Sequence, residues 1–203
     1  MVLLLFLDGD GTTKSCSGTM LTPSRVLTAA HCMPAGARQM AAVQWRSNGT
    51  GSLVYASSWA AHPGYAATAR LINDVGVVTL RSGMSNPSMP LLVSSPSRKG
   101  DEVFIAGWGV PVSDLAAGYA RITQVDENHI GFVYKEGQGS NTCSGDWVAP
   151  PIGAWVGRPG WWVVTSTGSV EGCGGGDVSL FTNTQSATVL DFIRTHAPGA
   201  AEI

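Results

Sequence analysis

The chain has 203 residues, and 12 Lys and Arg set against 14 Asp and Glu leave a formal net charge of −2. Charged residues make up 13%, well below the roughly 25% of an average soluble domain, and this lack of a basic excess argues against a nucleic-acid binder. With 44% hydrophobic residues and almost no net charge, the chain can bury a core, which excludes a disordered polymer.

The opening apolar run stops at Asp8, far short of the ~20 residues needed to span a bilayer. It has no basic leader and no small-residue cleavage site, so neither a signal segment nor a membrane contact is expected. It predicts a first strand, Val2 to Leu7, turning through Asp8-Gly9-Asp10-Gly11 into a second. Short apolar runs follow at Arg25–Thr28, Met40–Trp45, Leu53–Ser57, Val75–Leu80, Glu102–Ala106, Ala120–Val125, Ile130–Tyr134, Trp161–Thr165 and Val178–Thr182. Runs this short, punctuated by 26 Gly and 11 Pro, predict an all-β sandwich or barrel. Only the end reads as helix: Val189, Leu190, Phe192 and Ile193 share one face from Ala187 to His196, ahead of Pro198-Gly199. The Ser- and Pro-rich stretch from Ser85 to Lys99 is the natural crossing between two lobes of a single 1–203 domain, one about 1–92 and the other about 93–203.

The cysteines are Cys16, Cys32, Cys143 and Cys173. No Cys-x-x-Cys pair or His/Cys cluster with zinc spacing accompanies them, so two local disulfides are expected in preference to a metal site. Disulfides imply an oxidising compartment, and the chain is expected to be secreted or periplasmic.

Five motifs, taken in order, resemble the trypsin-like (chymotrypsin-fold) serine proteases. Thr28-Ala29-Ala30-His31-Cys32 is similar to that family's catalytic-histidine motif. Asn73-Asp74-Val75-Gly76-Val77-Val78-Thr79-Leu80, with His62-Pro63 before it, resembles the aspartate strand. Ala106-Gly107-Trp108-Gly109 resembles the strand that opens the second barrel, and Thr142-Cys143-Ser144-Gly145-Asp146 the approach to the nucleophile. Thr165-Ser166-Thr167-Gly168 resembles the strand that pairs with substrate backbone.

The resemblance covers nearly the whole chain. It implies two six-stranded-type antiparallel β-barrels with a short C-terminal helix, and disulfides pairing Cys16 with Cys32 and Cys143 with Cys173. It makes His31 the catalytic base and Asp74 the carboxylate that fixes the imidazole tautomer. Gly145 takes the oxyanion-donor position, and Asn141, Ser144, Ser166 and Gly168 the substrate-binding positions. With Asn141 in the specificity pocket, a basic side chain would meet no carboxylate. No cofactor and no metal is implied. The implied partner is a protein or peptide, not nucleic acid or membrane, and a monomer is expected. Asp126, Glu127, His129 and His196 have no such company and read as solvated side chains.

The resemblance breaks at the nucleophile. Where the family continues from Gly-Asp into Ser-Gly-Gly-Pro, this chain reads Gly145-Asp146-Trp147-Val148-Ala149-Pro150. An indole has no hydroxyl to activate, and its N–H only donates. Val148 and Ala149 replace glycines, which strains any backbone that needs positive φ. Ser140 and Ser144 lie nearby, but Ser144 corresponds to a rim residue facing substrate. No Ile-Val-Gly-Gly precedes Cys16, so the resemblance supplies no amino-group partner for Asp146. Three readings follow: a catalytically inactive homologue that binds protein or peptide; an active secreted endopeptidase whose sequence is erroneous or engineered at Trp147–Ala149; and a structural β module with a filled, unused active site.

Overall fold

The computed structural model describes residues 1–33, 36–45, 51–107, 116–135, 152–155, 158–161, 163–168 and 175–203. Strands β1 (Val2–Leu7), β2 (Thr13–Thr22), β3 (Arg25–Thr28), β4 (Gln39–Trp45), β5 (Gly51–Ala61) and β6 (Gly76–Leu80) close into a barrel in the order β1-β2-β3-β6-β5-β4. Every pairing around it is antiparallel. Alternation of side chains along each strand sends Val2, Leu4 and Phe6 of β1 inward. The register sets Leu4 opposite Ala42 and Phe6 opposite Met40, so β4 fills the same interior. Gly18 lies opposite Val2, where a Cβ would come within 2.5 Å of Val26 Cγ1. Any side chain there would force Val26 to shift. The β1–β2 turn closes through the Gly11 N–H to the Asp8 carbonyl, with Gly11 at φ 88°.

Eight further strands follow the crossing: β7 (Glu102–Gly107), β8 (Ala116–Arg121), β9 (Gln124–Val125), β10 (His129–Val133), β11 (Ile152–Trp155), β12 (Arg158–Trp161), β13 (Val163–Gly168) and β14 (Val178–Asn183). Among the described residues the expected second barrel is represented by two four-stranded sheets, β13-β14-β10-β9 and β12-β11-β7-β8. They share a core of Val103, Ile105, Ile122, Ile130, Phe132 and Phe181. Leu91 belongs to the barrel core and its neighbour Leu92 to this second core.

The helix α1 (Ala187–His196) buries Val189, Phe192 and Ile193 against the barrel core, the face marked by its apolar spacing. Two runs are divided differently from expectation. Ala120–Val125 breaks into the end of β8 and the short β9, because Ile122 and Thr123 leave the ladder to bond Asp101 and Gly131. Trp161–Thr165 straddles the end of β12 and the start of β13.

Candidate active site

The turn that carries His31 is built locally. After extended Ala29 (φ −80°, ψ 149°), Ala30–Cys32 coil into one 3₁₀ turn, with the Cys32 and Met33 N–H groups donating to the carbonyls of Ala29 and Ala30. The Cys16–Cys32 disulfide staples the turn to β2. Thr28, fully buried one step before the turn, donates its hydroxyl to the Ser17 carbonyl at 2.9 Å. Beneath the turn Met33 packs on Gly76, where a Cβ would come within 2.6 Å of the methionine sulfur.

Asp74 sits 43 residues further on, at the end of the loop from β5 to β6, and is fully buried. Its two carboxylate oxygens take the two hydrogens that His31 offers. Oδ1 accepts from the His31 backbone N–H at 2.8 Å, and Oδ2 lies 2.6 Å from Nδ1. Facing a carboxylate oxygen, Nδ1 is the donor, which leaves Nε2 as the basic nitrogen. The His31 side chain is 19% exposed while Asp74 is at 0%. This arrangement can take a proton at Nε2 and stabilise the resulting cation through the carboxylate.

The loop that delivers Asp74 is held from several sides. The His62 N–H donates to the Val75 carbonyl, and its ring Nδ1 accepts from the Gly64 N–H at 3.0 Å. The ring packs 5.1 Å from Phe192 of α1, with Nε2 near the Thr188 carbonyl. Asn73 donates its amide to the Gly64 carbonyl at 3.1 Å. The Tyr65 hydroxyl is pushed above its ordinary value, first by burial and then by the nearby Asp74 charge. Thr182, fully buried on β14, donates its hydroxyl to the Asp74 carbonyl at 3.0 Å.

The structure thus brings His31, Asp74, Cys16 and Cys32 together. Ser166 falls at an irregularity in the β13–β14 pairing, between Thr165 opposite Phe181 and Thr167 opposite Leu180, and Gly168 pairs with Ser179. The expectations for Trp108, Gly109, Ser140, Asn141, Cys143, Ser144, Gly145, Asp146, Trp147, Val148, Ala149 and Cys173 lie outside the described residues. One expectation is corrected: His129 is not solvated but 1% exposed, because its ring turns in against the Asp74 loop and donates to the Arg70 carbonyl at 2.7 Å. Asp126, Glu127 and His196 are exposed. The supporting roles of Thr182, His129 and Arg70 carry no motif. The one hint is a histidine opening the otherwise apolar strand β10. Among the described residues, Cys16, His31 and Cys32 cluster within 4.8 Å of one another. Both sulfurs are committed to the disulfide, so the cluster offers a metal no thiolate.

Comparison with known proteins agrees with this geometry. The Trypsin family model matches residues 3–147. Trypsin delta of Drosophila erecta is 29% identical over 124 residues, covering 57% of this chain and 48% of the relative. Trypsin alpha of Drosophila melanogaster is 28% identical over 125 residues, covering 57% and 47%. The chain spans about half the length of the curated relatives that it matches. With the family model covering most of its residues, the chain belongs to the trypsin family.

Proposed function

We propose that this chain is a trypsin-like serine protease homologue that binds a peptide or protein segment without cleaving it. The observation that carries the reading is Trp147, which follows Gly145-Asp146 where the family places its nucleophilic serine. The His31–Asp74 pair supports the presence of a base, at 2.6 Å between Nδ1 and Oδ2. With tryptophan at position 147, that position offers the base no hydroxyl from which to take a proton. Loss of the nucleophile alone lowers turnover by about 10⁶-fold in a triad enzyme. What remains is a rigid β framework whose loops are free to present a binding surface. The Cys16–Cys32 disulfide supports an oxidising, extracellular or periplasmic setting.

Treatment of the purified chain with a fluorophosphonate, read by intact mass, tests this reading. No covalent adduct is expected, whereas a stoichiometric adduct mapped to Ser144 would overturn it. The intact His31–Asp74 pair favours one competing reading, an active secreted endopeptidase whose true codon at position 147 encodes serine. Resequencing the source gene decides it: a tryptophan codon removes that alternative.

A further inference from the structure

Asp74 is held by more than its own barrel. The segment 70–74, the last stretch of the β5–β6 loop, has its first and last carbonyls gripped by two side chains of one sheet in the second core. His129 Nε2 lies 2.7 Å from the Arg70 carbonyl, and Thr182 Oγ1 donates to the Asp74 carbonyl at 3.0 Å. A carbonyl oxygen can only accept, so His129 Nε2 is the donor in this bond. The two gripping residues are not an accidental pair. His129 of β10 and Thr182 of β14 are direct cross-strand partners, and they are 1% and 0% exposed. A third contact acts on the outer side: the Arg70 guanidinium donates to Asp126 Oδ2 at 2.8 Å. Asp126 is in turn anchored, its Oδ1 accepting from the His129 backbone N–H at 2.7 Å and its carbonyl accepting from the Asn183 amide at 3.1 Å.

Between the two gripped carbonyls the backbone is unusual. Leu71 and Asn73 stand at φ 50° and φ 52°, the left-handed region, and are the non-glycine residues found there among the described ones. Asparagine tolerates that region, but leucine pays a steric cost for it. Such conformations persist only where surrounding contacts over-determine them, and they concentrate at functional sites. The strained segment ends on the residue whose carboxylate makes both contacts to His31.

We propose that His129 and Thr182 are positioning residues for Asp74: from a sheet outside the barrel they clamp segment 70–74 and so set the register of the carboxylate against the His31 backbone N–H and Nδ1. The loop's own bonds, the Leu71 N–H to the Thr68 carbonyl and the Ala66–Ile72 bridge, tie it only to itself, whereas the cross-sheet clamp ties both ends of segment 70–74 to the second core. The inference holds whether or not the chain turns over peptide, because its consequence is read on the His31 ring itself.

The test uses the full chain uniformly labelled with ¹⁵N, with the His31 Nδ1 proton assigned by its loss in His31→Ala. Solvent exchange of that proton is compared with exchange of the Val78 backbone amide, which lies in the barrel core and reports global opening. Thr182→Val removes the hydroxyl and keeps the shape, and His129→Phe keeps a ring but removes the donor. Each is expected to speed exchange at His31 Nδ1 by about tenfold, the effect of losing one well-made buried hydrogen bond, with Val78 unchanged. Thr182→Ser, which keeps the hydroxyl, is expected to retain the wild-type rate. An unchanged His31 rate in Thr182→Val overturns the proposal. So does an equal acceleration at Val78, which marks a general loss of stability and not a positioning role. Should His129→Phe fail to fold, the contrast between Thr182→Val and Thr182→Ser decides alone.

Discussion

The turn that carries His31 hangs on the Cys16–Cys32 disulfide, and removing that bond has a calculable cost. The two cysteines are separated by 16 positions and enclose the β2–β3 hairpin together with the 3₁₀ turn. In the chain-entropy account a cross-link of that loop length withdraws about 3 kcal/mol of freedom from the unfolded chain at 25 °C. Set against the roughly 5–15 kcal/mol that hold a typical domain folded, this is a large fraction. The cysteines are 9% and 1% exposed, so alanine replacements leave small voids that add to the loss and do not offset it. Urea unfolding of Cys16→Ala/Cys32→Ala, followed in parallel by far-UV circular dichroism and tryptophan fluorescence, should give a stability lower by at least about 3 kcal/mol. The urea slope should stay equal or rise, because the uncross-linked chain exposes more surface when it unfolds. A loss under about 1 kcal/mol would refute the reasoning, and show that the hairpin pairing alone restrains this segment in the unfolded state.

Two further outcomes follow from the packing and the charges. At Gly18 a Cβ would fall 2.5 Å from Val26 Cγ1 and 3.1 Å from Leu4 Cδ1, so Gly18→Ala should cost about 1–3 kcal/mol by overpacking. A melting temperature equal to that of the wild type would contradict it. For Asp126, burial pushes the carboxyl upward, but the His129 backbone N–H, the Arg70 guanidinium and the Asn128 N–H outweigh it and hold it below the ordinary 3.8. A carboxyl lowered by folding contributes stability that is complete above the unfolded value and is lost as pH falls below it. Asp126→Asn should therefore shrink the fall in melting temperature between about pH 5 and about pH 3, and an identical fall in both proteins would remove Asp126 from the clamp.

How much of this was legible in the sequence depended on whether the signal was local. The His31 turn and the Asp74 strand are each written in a handful of adjacent residues, so both could be located without knowing that 2.6 Å would separate them. The helix Ala187–His196 and the strands β1 and β3 match their expected bounds, since apolar spacing and flanking turn residues agree there. β12 was hidden because it contains Pro159-Gly160, which argue against a strand, and it pairs only with β11 among the described strands. β5 outruns the expected Leu53–Ser57 because Ser58, Trp59 and Ala60 pair with β6, a gain that local propensity cannot register. The burial of His129 is illegible for the same kind of reason. Its acceptor, the Arg70 carbonyl, is 59 residues away, and only the fold brings the two together.

The most direct test of the inactive, peptide-binding reading is hydrolysis of a broad peptide mixture by the pure chain, followed by mass spectrometry beside His31→Ala. The reading predicts no cleavage above that of His31→Ala at any site in the mixture. Turnover above about 0.1 s⁻¹, itself low against the usual enzyme range of ~1–10³ s⁻¹, would contradict it if abolished in His31→Ala, because a working nucleophile would then stand beside the His31–Asp74 pair.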